Sequence, residues 1–457
     1  MVDVKSNLSE QITLLLKKNN EQELSSFLSE QYPQDIADTI SNLKKEEEKL
    51  KCFNLLDIEN AGKVLSELNI ENQKIIIENT TSSRLAQIIT QMDVDDATDL
   101  IIRLPEDEKT ALLKVLPDPV QQAQVQELIH YSPESAGGTM STNFLRLRSD
   151  MTIHLAFNYV RRQAAEYKTQ IYYLYVVDNT NKLVGVVTLK DLISSPLNDL
   201  VADHMNTEII TCNVNDDQEG VAKKISKYDL IAIPILDETN TLKGIVTVDD
   251  VVDILAKENT EDIFHVSGIS DKFQSDELIS GNVVYAVRAR LPWLIITLFG
   301  QSLAALLLAS FNNTISSVPI AVSFMPLLSG LSGNIGGQTA TIIVRGLVTG
   351  DIQIKNTLKY LLHELKIGIL LGITCALITG LIAWSFHGMP TLGLVVAFAL
   401  TCSMILGVTL GTLLPILLQS FKKDPATATS PLITTMLDIT TFTFYLSIIS
   451  SVMKHLR

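Results

Sequence analysis

The sequence predicts a multidomain membrane protein: an acidic, all-α N-terminal superhelical domain, a duplicated α/β unit and a linking helix, followed by an α-helical bundle of five membrane spans. Three observations predict it. Charge is divided, with 47 Asp/Glu against 26 Lys/Arg in residues 1–284 (net −21) and 4 against 10 in residues 285–457 (net +6). A segment near the middle occurs twice, 59 residues apart. From residue 290 the chain consists of apolar stretches, each near or above the ~20 residues that cross a bilayer.

The formal net charge of −15 therefore averages two unlike halves. So acidic a soluble half repels nucleic acid and favours multivalent cations as partners. Cys52, Cys212, Cys375 and Cys402 lie far apart with no CxxC spacing, which implies neither a disulfide framework nor a zinc knuckle and fits a reducing cytosol.

Residues 1–135 read as packed amphipathic helices punctuated by Pro33, Pro105 and Pro117. SSRLAQIITQM and DDATDLIIRL carry apolar residues three and four apart. Loosely recurring units (YPQDIADTISNL, LDIENAGKVLSEL, MDVDDATDLIIRLP) suggest a helical superhelix. The opening MVDVKSNLSEQITLLLKKNN reads as another amphipathic helix, too short in its apolar run and too charged for a signal peptide.

The duplication aligns LYVVDNTNKLVGVVTLKDLI (174–193) with PILDETNTLKGIVTVDDVV (234–252). Asp178 falls on Asp237, Gly185 on Gly244, Thr188 on Thr247 and Asp191 on Asp250. Each copy predicts strand, turn, strand and a Thr-capped helix. Two such copies, at 136–198 and 199–256, resemble a tandem pair of CBS (cystathionine-β-synthase) domains. That resemblance implies face-to-face packing and sensing of ligands such as adenosine nucleotides. Thr188, Asp191, Thr247 and Asp250 are the positions that could meet a ribose. No GxxxxGK[ST] motif is present, so ATP would be a regulatory ligand and its hydrolysis is not indicated.

VDDVVDILAKENTEDIF (248–264) reads as a linking helix continuing from the last CBS helix, and a polar connector runs to residue 285. The transmembrane domain, 286–457, is expected to hold spans at roughly 290–311, 317–348, 359–387, 391–420 and 428–453. The second and fourth contain Gly and Pro, tolerable where backbone lines a protein-enclosed cavity. Arg288, Arg290, Arg345, Lys355, Lys359, Lys366, Lys422 and Lys423 gather at one side, while the loops near 311–318 and 386–391 have no Lys or Arg. The positive-inside rule places the N-terminal half in the cytosol and the C-terminus outside, with Lys454 and Arg457 mildly against it. Trp293 and Trp384 fall near opposite span ends, as interface anchors do.

Asp438 stands in the last apolar stretch, with no basic residue between Lys423 and Lys454. A charged side chain in hydrocarbon costs roughly 3 kcal/mol or more, so membrane carboxylates usually face a polar cavity and mark an ion or proton path. A protonated Asp joining helices by hydrogen bonds is the structural alternative. Thr434 and Thr435 lie three and four residues before it on one helix face, although Thr hydroxyls can equally bond back to their own helix. In FMPLLSGLSGNIGGQTATIIVRGL (324–347), glycines including Gly337 surround Asn334 and Gln338, which offer neutral oxygens to a hydrated cation. A small-xxx-small helix contact is the alternative there. Glu364, flanked by His363 and Lys366, reads as a charge at the pore entrance or a solvated helix end.

Together, an acidic helical domain, two CBS repeats, a linking helix and five spans containing SGNIGGQT and DPATATSPLITTMLD resemble the MgtE family of magnesium channels and transporters. The resemblance implies a homodimer in the bilayer whose pore is lined by spans two and five. Asp438 would stand at the ion site, with Asn334 and carbonyls near Thr434 in support and Thr435, Gly337 and Gln338 around it. Ser430, before the proline, carries no firm role. The resemblance also implies closure by cytosolic magnesium. At 100° per residue, Asp250, Asp253, Glu258 and Glu261 fall within about 140° of one another on the linking helix, and Asp249 and Asp262 extend the group. Divalent ions between that helix and Asp95, Asp99, Asp217, Glu219 or Asp229 would relieve like-charge repulsion and favour a compact state.

The expected function is a magnesium channel driven by the membrane potential. A proton- or sodium-coupled exchanger remains open, as does a membrane-anchored nucleotide or metal sensor whose spans only dimerise. No nucleophile–base pair or catalytic metal set supports an enzyme.

Overall fold

The computed structural model describes residues 2–18, 20–163, 171–269, 278, 283–426 and 430–456. It divides into two compact units, 1–257 and 258–457. Part of the connector expected at 265–285 lies outside the described residues, as does the side chain of Ser430.

In the first unit, short amphipathic helices follow one another from Val2 to Leu128. Side-chain caps start several of them: Asp57 accepts from Asn60 N at 2.8 Å, Asn69 from Asn72 N at 3.0 Å and Asp118 from Val120 N at 2.8 Å. The Val94–Ile102 helix buries Val94, Ala97, Leu100 and Ile101 and carries Asp95 and Asp96 in its first turn. Acids there face the positive end of the helix dipole.

The duplicated region forms two three-stranded sheets. β1 (Leu145–Arg148) runs parallel to β2 (Tyr173–Val177), which pairs antiparallel with β3 (Leu183–Thr188). β4 (Cys212–Asn213), β5 (Ala232–Leu236) and β6 (Leu242–Thr247) repeat that order. The hairpin turns match atom for atom. Asp178 accepts from Thr180 N at 2.7 Å and Lys182 N at 3.0 Å; Asp237 accepts from Thr239 N at 2.8 Å and Thr241 N at 2.9 Å. Asn181 and Asn240 take left-handed backbone at φ 61° and 63°, a conformation Asn tolerates. The hairpins also bond each other reciprocally, Leu183 N to Asn240 O and Leu242 N to Asn181 O, each at 3.3 Å.

One uninterrupted helix, Val248–Val266, leaves the second sheet. Its buried Val251 and Ile254 join the same apolar core as Val94, Ala97, Leu100 and Ile101. Helical domain, second CBS repeat and the start of the linking helix thus share one core.

In the second unit, five helices are long and apolar enough to cross a membrane. The spans are Val283–Ser310, Pro319–Val348, Ile354–His387, Pro390–Ser420 and Pro431–Val452; the second begins with a 3-10 turn, Pro319–Phe324. Span four packs against spans two, three and five, and span one packs on span five.

Candidate functional site

Asp438 lies in mid-span, only 5% exposed. Its carboxylate accepts two hydrogen bonds, from the Gln301 amide of span one and from the Ser329 hydroxyl of span two. A close approach makes the first contact possible: a Cβ at Gly300 would overlap the Thr435 methyl group. One turn on, Ser332 and Thr441 Oγ atoms stand 3.4 Å apart, both buried. Spans one, two and four pack on span five and carry no charged residue within 291–310, 325–344 or 390–420. Asp438 is therefore a buried carboxylate with neutral donors and no cationic partner among the described residues.

Thr435 hydrogen-bonds back to Pro431 O at 2.8 Å, and Thr440 and Thr443 do the same one turn behind themselves. Thr434 stands beside Gly333. Asn334 and Gln338 do not bond Asp438 within one chain; they are exposed on the opposite, open side of span two with Thr341. The glycines of SGNIGGQT divide accordingly. A Cβ at Gly336 would press on Leu437 at 2.8 Å, and one at Gly407 would reach Ser332 O at 2.7 Å, so these glycines set the crossing of spans two, four and five. Gly330 and Gly337 would meet nothing. Gly407→Ala is thus expected to lower the thermal midpoint of the detergent-solubilised protein by several degrees, whereas Gly337→Ala leaves it unchanged; overpacking costs roughly 1–3 kcal/mol.

Glu364 differs from expectation. It is buried, 7% exposed, and accepts a hydrogen bond from Thr339 of span two at 3.3 Å. The third-span helix starts seven residues earlier, at Thr357, which carries Glu364 into the bundle. There it heads the buried row Glu364–Gly368–Gly372–Ala376 at spacings of four.

The acids of the first unit fall into two groups. Asp95 has Oδ1 buried with no hydrogen-bond partner. Burial first, then the charges of Asp96, Asp250 and Asp93, hold its carboxyl well above the usual range. Asp96 keeps an exposed face, yet close packing around it and then the charges of Asp93, Asp99 and Asp250 push its carboxyl up to about 7. Asp99 is raised by burial although Arg103 and Lys257 oppose the shift. Asp250 is raised by burial although Thr247 donates to it, and Asp249 and Asp253 push the same way. The N-termini of two acidic helices thus meet, and Asp95 and Asp250 repel across that junction. Asp253 is exposed on the next turn.

The second group is engaged locally. Asp217 caps its helix through Glu219 N at 2.8 Å, Glu219 pairs with Lys223 at 2.7 Å, and Asp229 takes the left-handed C-cap at φ 50°. Glu258, Glu261 and Asp262 lie further along the linking helix, each with interactions of its own. Among the described residues no three His, Cys, Asp or Glu side chains converge into a metal cage. Magnesium needs none, because it keeps several waters and binds through one or two carboxylates. Near the end of the linking helix, His265 Nδ1 pairs with Asp424 Oδ2 at 2.7 Å in the loop preceding span five. Burial pushes the Asp424 carboxyl up, but His265 and the Ala426 N–H outweigh it and hold it below its ordinary value.

Thr188 and Asp191 form a capping box, and Thr247 likewise donates its backbone N–H and its hydroxyl to the Asp250 carboxylate. Thr247 also lines a small cleft walled by Phe144, Tyr172, Tyr173, Tyr175 and Ile245; Thr188 does not.

A buried carboxylate among five spans, in a chain that also carries an acidic helical domain and a CBS pair, defines a multi-pass membrane protein of the cation-transport class. Comparison with known proteins makes this specific. A family model described as divalent cation transporter (MgtE) matches residues 325–448, the MgtE intracellular N domain matches 10–134, and CBS models match 136–198 and 201–257. Relatives named "Magnesium transporter MgtE" include one from Enterococcus faecalis, 36% identical over 73% of each chain. Another, from Thermus thermophilus, is 36% identical over 72% of this chain and 73% of its own. A solved structure titled as the cytosolic domain of the Mg2+ channel MgtE in complex with ATP is 33% identical, with TM-score 0.51, and covers 54% of this chain and 99% of that one. The chain belongs to the MgtE family of divalent cation transporters.

Proposed function

We propose that this protein conducts Mg2+ into the cytosol down its electrochemical gradient, with Asp438 at the ion site. The observation that carries this reading is the Asp438 carboxylate, buried in mid-span and bonded only by neutral donors. A dication entering through 100 mV gains roughly 4–5 kcal/mol, enough to drive uptake without coupling. The open stripe Gly330, Asn334, Gly337, Gln338 and Thr341 gives each chain a polar face. In a homodimer two such faces, with carbonyls near Thr434, would complete a pore for a hydrated ion. The helical domain and CBS pair lie in the cytosol, as in the relative whose cytosolic domain was solved.

Cytosolic Mg2+ closes the pore by binding between the Asp95–Asp99 helix turn and the acids of the linking helix, from Asp250 and Asp253 to Glu258, Glu261 and Asp262. Asp217, Glu219 and Asp229 supply further carboxylates. Support comes from Asp95, whose unpartnered oxygen a hydrated cation would satisfy, and from the His265–Asp424 pair, which ties the linking helix to the chain entering span five. ATP acts as a regulatory ligand in the aromatic cleft, where Tyr172 and Tyr173 would flank a base and Thr247 meet its ribose.

The test is Mg2+ influx into proteoliposomes under an imposed potential, with no pH or sodium gradient and no Mg2+ on the cytosolic face. Uptake set by potential alone supports the channel; uptake that appears only with an ion gradient sinks it. Glu364 favours proton coupling as a second reading, being a further buried carboxylate in the bundle. Under that reading Glu364→Gln abolishes the response of flux to a pH gradient. Under the channel reading flux ignores the gradient in both proteins.

A further inference from the structure

We infer that Gln301 is a positioning residue for the ion site, and that it brings the first span into cation recognition. This rests on the reading of Asp438 as the ion-site carboxylate. Gln301 is the one amide side chain among the apolar residues of span one. Its Nε2 donates to Asp438 Oδ2, while Ser329 Oγ donates to Oδ1, so each carboxylate oxygen is held by a different helix. Neither donor carries charge, and spans one, two and four, which pack on span five, hold no Asp, Glu, Lys, Arg or His within 291–310, 325–344 or 390–420. The donors therefore orient the carboxylate without placing a cation beside it, so that a passing dication meets it at a fixed position.

The amide has a second capacity. A side-chain amide donates through nitrogen and accepts through oxygen. Gln301 Oε1 accepts no hydrogen bond from any described residue, and the residue keeps an exposed face on the single chain. That oxygen is free to accept from a water of the hydrated cation while the nitrogen holds Asp438. Outer groups that orient a ligating carboxylate commonly change metal affinity ten- to hundredfold when removed. Gly300 belongs to the same device, because only a residue without a Cβ lets span one approach Thr435 closely enough for Gln301 to reach across.

The experiment compares full-length protein with Gln301→Met, Gln301→Asn, Ser329→Ala and Asp438→Ala in proteoliposomes. It records the Mg2+ half-saturation concentration, the maximal rate and the acceptance of Ca2+, with thermal midpoint in detergent as the folding control. Gln301→Met is expected to raise half-saturation about tenfold and to admit more Ca2+, at near-normal maximal rate and midpoint. Asn, which keeps the amide, should recover part of the loss, and Ser329→Ala should move half-saturation the same way. A lower maximal rate and midpoint with unchanged half-saturation would make Gln301 a packing residue and overturn the inference. Flux abolished by Asp438→Ala but titrating normally in Gln301→Met and Ser329→Ala would overturn it while leaving the Asp438 reading intact. Full flux in Asp438→Ala would remove both.

Discussion

Asp438→Asn is expected to lower potential-driven Mg2+ influx by at least a hundredfold while leaving the thermal midpoint within a few degrees of the native value. At an effective dielectric near 20, a dication about 5 Å from a carboxylate gains roughly 7 kcal/mol. Retaining half of that in the conducting geometry still corresponds to more than two orders of magnitude in occupancy. Asparagine keeps the shape and one acceptor for Gln301 and Ser329, so the fold loses little. Asp438→Glu keeps the charge one methylene away and should retain measurable flux with altered ion preference. The decisive comparison is influx of isotopic or fluorescently reported Mg2+ into vesicles of matched protein density. Native-like influx in the Asn variant would remove Asp438 from the ion path and favour a bundle that only holds the chain in the membrane.

Much of this architecture was legible because it rests on local rules. The 59-residue repeat specified two hairpins, and the Asp178 and Asp237 turns show why: each Asp side chain supplies the bonds that close its own turn. The spans followed from length and hydropathy, and Asp438 from the rarity of a mid-membrane acid. Gln301 and Ser329 escaped because their importance lies in a contact across 137 and 109 positions of sequence, which no periodicity encodes. A lone Gln in an apolar span was the available signal for the first. The glycines of SGNIGGQT offered two readings, and the structure divides the residues between them: Gly336 is a packing glycine, whereas Gly337 faces open space. Glu364 was placed at an interface because its charged neighbours His363 and Lys366 suggested one. The helix turns its face inward because residues four apart point the same way, and the next in that row are Gly368 and Gly372.

In the absence of divalent cations, the thermal midpoint of the cytosolic part of the full-length protein is expected to fall as pH rises from 5.5 to 8, with saturating Mg2+ restoring it at pH 8 and doing little at pH 5.5. The sign follows from Asp95, Asp96, Asp99 and Asp250, all raised above their ordinary values. A carboxylate with a raised folded-state value binds more protons folded than unfolded. Its packing is thus favoured in acid and weakens as pH climbs from the unfolded value of 3.8 toward about 7, where Asp96 ionises, and beyond it for Asp95. Below that window protons offset the repulsion between the two helix N-termini. Above it the charges stand uncompensated unless a dication takes the protons' place. At a hundred times its dissociation constant, a single ion adds about 2.7 kcal/mol, or roughly 5–10 °C for a unit of this size. Asp95→Asn removes the buried charge and should flatten both responses, raising the midpoint at pH 8 without Mg2+ and shrinking the gain on adding it. Mg2+ binding at pH 7 should also release protons, measurable as a buffer-dependent heat. A midpoint that rises with pH in chelator, or a full Mg2+ response in Asp95→Asn, would show that this junction is not where the cytosolic ion acts. The same linkage has a functional corollary. If protons and Mg2+ compete for one junction between the helical domain and the linking helix, acidification of the cytosol should close the pore at lower Mg2+, because either ligand stabilises the same compact arrangement.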